Sequence, residues 1–116
     1  MKKTALGVLL VLLLTMAASA WAADLIWAGT WETNWGTMKL TQQDNEVTGR
    51  YDLNDNDNSY NGVIKGVVDG NTLRGTWSDD LAEGEFQFEL MPNKCSFEGY
   101  YTTDSVKNKW VGTKIK

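Results

Sequence analysis

Several residue types are missing or scarce in this chain of 116 residues, and each shortage excludes a class of function. There is no histidine, which removes the commonest general base, the Ser-His-Asp and Cys-His nucleophile systems, and the usual zinc ligand. A single cysteine, Cys95, cannot form an internal disulfide, so the fold must be stable without one. We expect Cys95 to be buried as a small hydrophobe; the alternative is a thiol available for an intermolecular bond.

The first twenty residues have the composition of a secretory signal peptide. Lys2 and Lys3 form a basic start, and the apolar run Leu6–Leu14 follows, interrupted only by Gly7. Small residues then occur at Ala18-Ser19-Ala20, at the spacing that signal peptidase recognises. Residues 1–20 therefore predict export to the periplasm or the medium.

Cleavage is expected after Ala20 or after Ala22, and the alternative is an uncleaved membrane anchor over residues 5–23. The remaining chain, residues 24–116, forms one domain with no further membrane span. Without the two N-terminal lysines, nine Lys and Arg face fifteen Asp and Glu, a net charge of −6. That balance disfavours nucleic acid and anionic membrane surfaces, since both require clustered cations.

The remaining chain shows period-2 alternation of apolar and polar residues rather than the period of a helix. Short connections rich in Asn, Asp and Gly separate the alternating runs, and such residues favour hairpin turns. Strands joined by short turns pair with their sequence neighbours, so the sheet is an antiparallel, up-and-down meander. The eight predicted strands cover residues 28–33, 36–42, 46–53, 61–69, 71–78, 84–91, 95–103 and 108–115.

One face of this sheet is apolar, and no helix is predicted to cover it. Closure into a barrel hides that face and removes the exposed sheet edges. Gly49, Gly75 and Gly99 lie on the inward face, where a missing side chain lets a strand bend and leaves room for a neighbouring ring. The other residues predicted to point inward are Trp31, Met38, Leu40, Val47, Tyr51, Ile64, Val68, Leu73, Trp77, Phe86, Phe88, Phe97, Tyr101 and Trp110.

The sequence resembles the calycin group of barrels, which contains lipocalins and avidins. The likeness to avidin-like barrels is carried by Gly29-Thr30-Trp31, Gly36-Thr37 and Gly49-Arg50-Tyr51, in that order. The stretch 35–42, Trp-Gly-x-Met-x-Leu-x-Gln, also resembles a looser set of small bacterial secreted proteins. Both resemblances imply a small secreted protein, and the likeness to avidin-like barrels implies a barrel that binds a ligand.

In avidin-like barrels, hydroxyls near the start of strand two and on the strand-three tyrosine hold biotin, and the resemblance places Thr37 and Tyr51 there. The later tryptophans and the aspartate of such sites have no secure counterparts here, so biotin itself is not predicted. We expect a small apolar or aromatic ligand at the barrel mouth, lined by Thr37, Tyr51, Trp77 and Trp110. A binding barrel would show a cavity of roughly 300 Å³ or more. No cofactor is predicted.

A second hypothesis is a protein-interaction or structural module of the cell envelope with a solid core. Tyr100, Trp35 and Trp27 are then exposed aromatic anchors of the kind that interfaces prefer. The partner would be an envelope protein or a second copy of the chain.

No enzymatic activity is predicted, since no catalytic motif is present. Asp79, Asp80 and Glu83 form an acidic loop, which a paired-carboxylate hydrolase would use only at a fixed separation across a cleft. The stretch 52–58 is rich in Asp and Asn, but it lacks the Gly and Glu that an EF-hand loop requires. A looser calcium site there is the alternative to a plain Asx-rich loop.

Overall fold

The computed structural model describes residues 25–52 and 61–116. Within these ranges the chain is all-β, as predicted, and its antiparallel strands follow sequence order around a closed eight-stranded barrel. The strands are β1 (Gly29–Thr33), β2 (Gly36–Gln43), β3 (Glu46–Asp52), β4 (Asn61–Asp69), β5 (Thr72–Asp79), β6 (Glu83–Leu90), β7 (Ser96–Thr103) and β8 (Val106–Lys114).

Two predictions about membrane association concern the rest of the chain. In the described residues, no helix has the length and apolar character needed to cross a bilayer. The predicted signal peptide, with both of its cleavage sites, lies outside the described residues.

The first and last strands meet and close the sheet. β1 pairs with β8 in antiparallel register over Trp31–Thr33 and Gly112–Lys114. Asn34 extends this seam beyond the end of β1, because its Nδ2 donates to the Lys109 carbonyl and its Oδ1 accepts from the Val111 amide, both at 2.9 Å. The seam therefore has its hydrogen bonds satisfied beyond the last strand residue, and the barrel has no open edge there.

The predicted strand boundaries agree with the structure to within two residues. Turn chemistry explains most of the ends: Gly70 has a φ of 64°, in the left-handed region that glycine adopts without strain. The largest difference is at β8, which begins at Val106 rather than at 108. Asp104 and Ser105 both have positive φ, 50° and 69°, which is the pattern of a two-residue hairpin turn. The predicted connection, residues 104–107, is therefore two residues too long.

Aromatic and aliphatic side chains fill the barrel along most of its length. Phe88 and Phe97 stack with ring centroids 4.1 Å apart, and Phe86 lies 4.6 Å from Phe88. Tyr101 points inward as predicted but is only half-buried. The other predicted inward side chains are all buried: Trp31, Met38, Leu40, Val47, Tyr51, Ile64, Val68, Leu73, Trp77, Phe86, Phe88, Phe97 and Trp110.

The mid-strand glycines allow close approach of neighbouring strands. A Cβ placed on Gly75 would collide with the Lys65 carbonyl oxygen and would lie 2.5 Å from the Cα of Gly66, its cross-strand partner. At Gly49 and Gly99 a Cβ would likewise meet the backbone of the adjacent strand. These glycines therefore make room mainly for the backbone of the adjacent strand, whereas the sequence predicted that they make room for a neighbouring ring.

Trp27 seals one end of the barrel. Its side chain is 1% exposed and packs on Trp31 and Phe97, at centroid distances of 5.6 and 6.0 Å. Its backbone amide donates to Gln42 Oε1 at 3.0 Å, and its carbonyl accepts from Trp31 Nε1 at 2.9 Å. The expectation that Trp27 is an exposed anchor is wrong, because the segment before β1 folds across this end, which we call the sealed end.

The prediction of a buried Cys95 is also wrong, since the residue is exposed. It lies in the connection before β7, where its amide donates to Asn93 Oδ1 at 2.8 Å. The prediction rested on the usual behaviour of a free cysteine as a small buried hydrophobe. Because β7 begins at Ser96, Cys95 stands outside the strand, in a connection at the surface.

Candidate functional site

The candidate site lies at the other end of the barrel, which we call the mouth. In an up-and-down barrel, alternate connections lie at the same end, so the β1–β2, β5–β6 and β7–β8 connections all border the mouth. They contribute Trp35, Leu81 and the Asp104-Ser105 turn. Topology therefore brings together residues that are distant in sequence.

Three of the four predicted site residues meet at the mouth. Tyr51 is the second-last residue of β3, and its ring lies edge-on to Trp110, with centroids 5.3 Å apart. Trp77 on β5 contacts Tyr101 at 5.7 Å, and Tyr101 in turn contacts Trp110 at 5.5 Å. Tyr51, Trp77 and Trp110 thus form one connected group of rings, joined by Tyr101.

Thr37 does not join this group. It lies on the outer face of β2, beside the inward-pointing Met38, and borders a shallow surface region with Lys39 and Arg50. The alternation of the strand already assigned Thr37 outward, whereas the resemblance to avidin-like barrels assigned it to the ligand. The structure follows the alternation, because Met38 is completely buried and neighbouring side chains on a strand point to opposite faces.

The ring group surrounds a pocket of about 210 Å³ that opens at the mouth. This volume is below the roughly 300 Å³ expected for a binding barrel, so the prediction of cavity size is not met. It exceeds the cavity of about 150 Å³ that holds a benzene ring. The lining residues are Trp35, Tyr51, Trp77, Asp79, Leu81, Ala82, Tyr101, Thr103 and Trp110.

Sequence reasoning did not assign the other lining residues to the site. Tyr101 was placed inside the barrel, and Asp79 was noted only as part of an acidic loop. Trp35 and Leu81 stand in connections, where alternation carries no information. The signal that identifies them is the parity of the connections, since every second turn of a meander lies at the same end.

The pocket has few polar groups, and three of them are engaged by the protein. Trp77 Nε1 donates to the Thr102 carbonyl at 3.2 Å, and Trp110 Nε1 donates to Thr33 Oγ1 at 3.1 Å. The Tyr51 hydroxyl donates to Asp79 Oδ2 across a long 3.4 Å. Burial raises the pKa of the Tyr51 phenol well above its ordinary value, and the nearby Asp79 charge raises it further. Tyr51 therefore remains a neutral hydrogen-bond donor at physiological pH.

Asp79 shapes the β5–β6 connection as well as the pocket. Its Oδ1 accepts from the backbone amides of Leu81 and Ala82, at 2.8 and 2.9 Å. Asp80 on this connection and Glu83 at the start of β6 are exposed. Among the described residues, no three Cys, Asp or Glu side chains gather as a metal site would require. Of the stretch 52–58 raised as a calcium site, only Asp52 is described.

An apolar rim borders the mouth. It consists of Trp35, Leu81 and Val106, whose side chains are 36, 73 and 57% exposed. The rim places apolar surface beside the pocket, whose walls are formed mainly by aromatic rings.

The barrel thus has one sealed end and, at the other end, a mouth lined by aromatic rings. No family model matches this chain, and searches of curated proteins and of solved structures found no significant match.

Proposed function

We propose that this chain is an exported, non-catalytic barrel that binds a small apolar or aromatic molecule at its mouth. The observation that carries the proposal is the pocket of about 210 Å³, bounded by the rings of Trp35, Tyr51, Trp77, Tyr101 and Trp110. Aromatic side chains supply large, rigid contact surfaces, and apolar pockets with few polar groups are typical of small-molecule sites.

Two sequence features support the proposal. The N-terminal segment has the pattern of a secretory signal, which is consistent with a periplasmic or secreted binding protein. The Gly-x-Trp and Gly-x-Tyr units resemble those of avidin-like barrels, which bind a small ligand. The pocket size limits the ligand to roughly one ring with small substituents.

Titration with small aromatic compounds, followed by intrinsic tryptophan fluorescence and calorimetry, tests this function. We expect saturable binding, weakened about tenfold by Trp77→Leu because one ring wall is lost. Trp31→Leu is the matched control: it also removes a buried indole but lies near the sealed end, and it should leave the affinity unchanged. Absence of saturable binding with every small aromatic or apolar compound, charged or neutral, would contradict the proposal.

A second candidate function is protein interaction through the apolar rim. Exposed Trp35, Leu81 and Val106 at one end provide the anchors that such an interface would use. The partner would be an envelope protein or a second copy of this chain.

For this candidate we expect one stoichiometric partner in a pull-down from the envelope fraction, or a dimer in light scattering. Either should be lost with Leu81→Asp, because a charge would be placed at the centre of the contact. Val67→Asp is the control, since Val67 is 55% exposed on the outer face of β4, away from the mouth. Equal losses with both variants would argue against the rim.

A further inference from the structure

The rings at the mouth meet at right angles. Tyr101 lies edge-on to Trp35, Trp77 and Trp110, with interplanar angles of 88°, 90° and 81°. Tyr51 lies at 81° to Trp110. Rings arranged in this way form walls on several sides of a small volume, and the negative face of an aromatic ring attracts a cation placed within about 6 Å of its centroid.

The pocket offers mainly carbon surface, and the hydroxyls of Tyr101 and Thr103 are its remaining possible donors. The indole N–H groups of Trp77 and Trp110 are already bonded to protein acceptors, as described above. The Tyr51 hydroxyl donates to Asp79. An anionic ligand would therefore find few donors to compensate for its loss of water.

Asp79 is the only charged side chain among the described residues that line the pocket. Leu81 and Ala82 amides hold its Oδ1, and its Oδ2 lies toward Tyr51. No Lys or Arg lines the pocket in the part of the chain that the structure describes. The carboxylate repels anions and attracts cations, and the net charge of −4 for the full chain acts in the same direction.

We infer that the ligand of this pocket is a small organic cation with a methylated or quaternary ammonium group. The inference rests on the proposed binding function and adds the charge of the ligand to it. Several ring walls with one carboxylate form the arrangement that recognises quaternary ammonium groups. A methylated ammonium is apolar at its surface and positive overall, so it satisfies both the rings and Asp79.

A matched pair of probes tests the charge. Choline and 3,3-dimethylbutan-1-ol have nearly the same shape, but the alcohol has carbon in place of the positive nitrogen. We expect choline to bind the full chain at least tenfold more tightly in calorimetric and NMR titrations. The methyl protons of bound choline should also shift upfield, because they would lie close to aromatic rings.

Asp79→Asn should reduce the advantage of choline at least fivefold and leave the affinity of the alcohol unchanged. Asparagine keeps the Oδ1 acceptor for the Leu81 and Ala82 amides, so the connection should retain its shape. Asp80→Asn is the control, because it removes the same charge from a neighbouring exposed residue that does not line the pocket. Equal effects of the two variants would overturn the role of Asp79.

Two outcomes separate this inference from the proposed function. If the alcohol or a neutral aromatic compound binds as tightly as choline, the inference is overturned and the binding function stands. If choline, the alcohol and the neutral aromatic compounds all fail to bind, both are overturned.

A last arm identifies the source of the cation. Phosphatidylcholine vesicles present the same trimethylammonium group as free choline. Co-sedimentation with these vesicles, competed by free choline, would support the inference with a lipid headgroup as the source. Choline binding without co-sedimentation would support it with a free solute as the source.

Discussion

Replacing Trp27 with alanine should lower the free energy of unfolding by about 3–5 kcal/mol, the usual cost of removing a large buried aromatic side chain. Trp27 contacts the rings of Trp31, Phe88 and Phe97, and its removal leaves a cavity at the sealed end that the surrounding backbone cannot fill. Urea unfolding followed by far-UV circular dichroism measures the change. Small domains have only about 5–15 kcal/mol of stability, so a large part of it depends on this one side chain.

Two companion variants make the result specific. Trp27→Phe keeps a ring at the sealed end and should cost clearly less than Trp27→Ala. Trp35→Ala removes the same side chain at the mouth, where Trp35 is 36% exposed and makes an edge-on contact with Tyr101, and should cost about 1 kcal/mol. Similar costs for Trp27→Ala and Trp35→Ala would show that Trp27 does not seal the barrel.

Gly75→Ala should destabilise the protein by about 3 kcal/mol, although it adds a single methyl group. That methyl would meet the carbonyl of Lys65 and the Cα of Gly66 on the adjacent strand. Backbone atoms in a paired strand cannot rotate away as a flexible side chain can, so β4 and β5 would have to separate. Urea unfolding again gives the change in free energy.

Gly70→Ala is the matched control for this prediction. An added Cβ at Gly70 meets no atom within 4 Å, but its φ of 64° is unfavourable for alanine, at a cost of about 1 kcal/mol. Both substitutions add one methyl group: at Gly75 the cost comes from contact with backbone atoms, and at Gly70 it comes from the positive φ alone. A smaller cost at Gly75 than at Gly70 would refute the close strand approach.

The barrel itself could be predicted from the sequence because alternation and turn chemistry act locally. In β5, Leu73, Gly75 and Trp77 alternate with polar residues, and this phase fixes which face is buried. The absence of any segment able to cover the apolar face then requires the sheet to close. The observed pairing of β1 with β8 confirms that reasoning.

Two of the residues whose burial differs from the prediction, Trp27 and Cys95, lie where alternation carries no information. Trp27 precedes the first strand and Cys95 stands in a connection, so neither has a phase to fix its direction. Thr37 was assigned to the site by resemblance although its own strand assigned it outward. The pocket begins near Tyr101, where the buried core side chains end. The position of that boundary depends on the combined volumes of side chains from several strands, which the pattern of one strand does not give.

Because Trp27 and the aromatic core close the barrel on the far side, the pocket opens only at the mouth among the described residues. A ligand bound there, as proposed, would have to leave by the path along which it entered, so its residence time would depend on how freely the space around Trp35 and Leu81 opens. A partner bound over the rim would then trap the ligand, and a bulky ligand protruding from the pocket would keep such a partner off. If both proposals hold, ligand binding and partner binding should influence each other through these shared side chains.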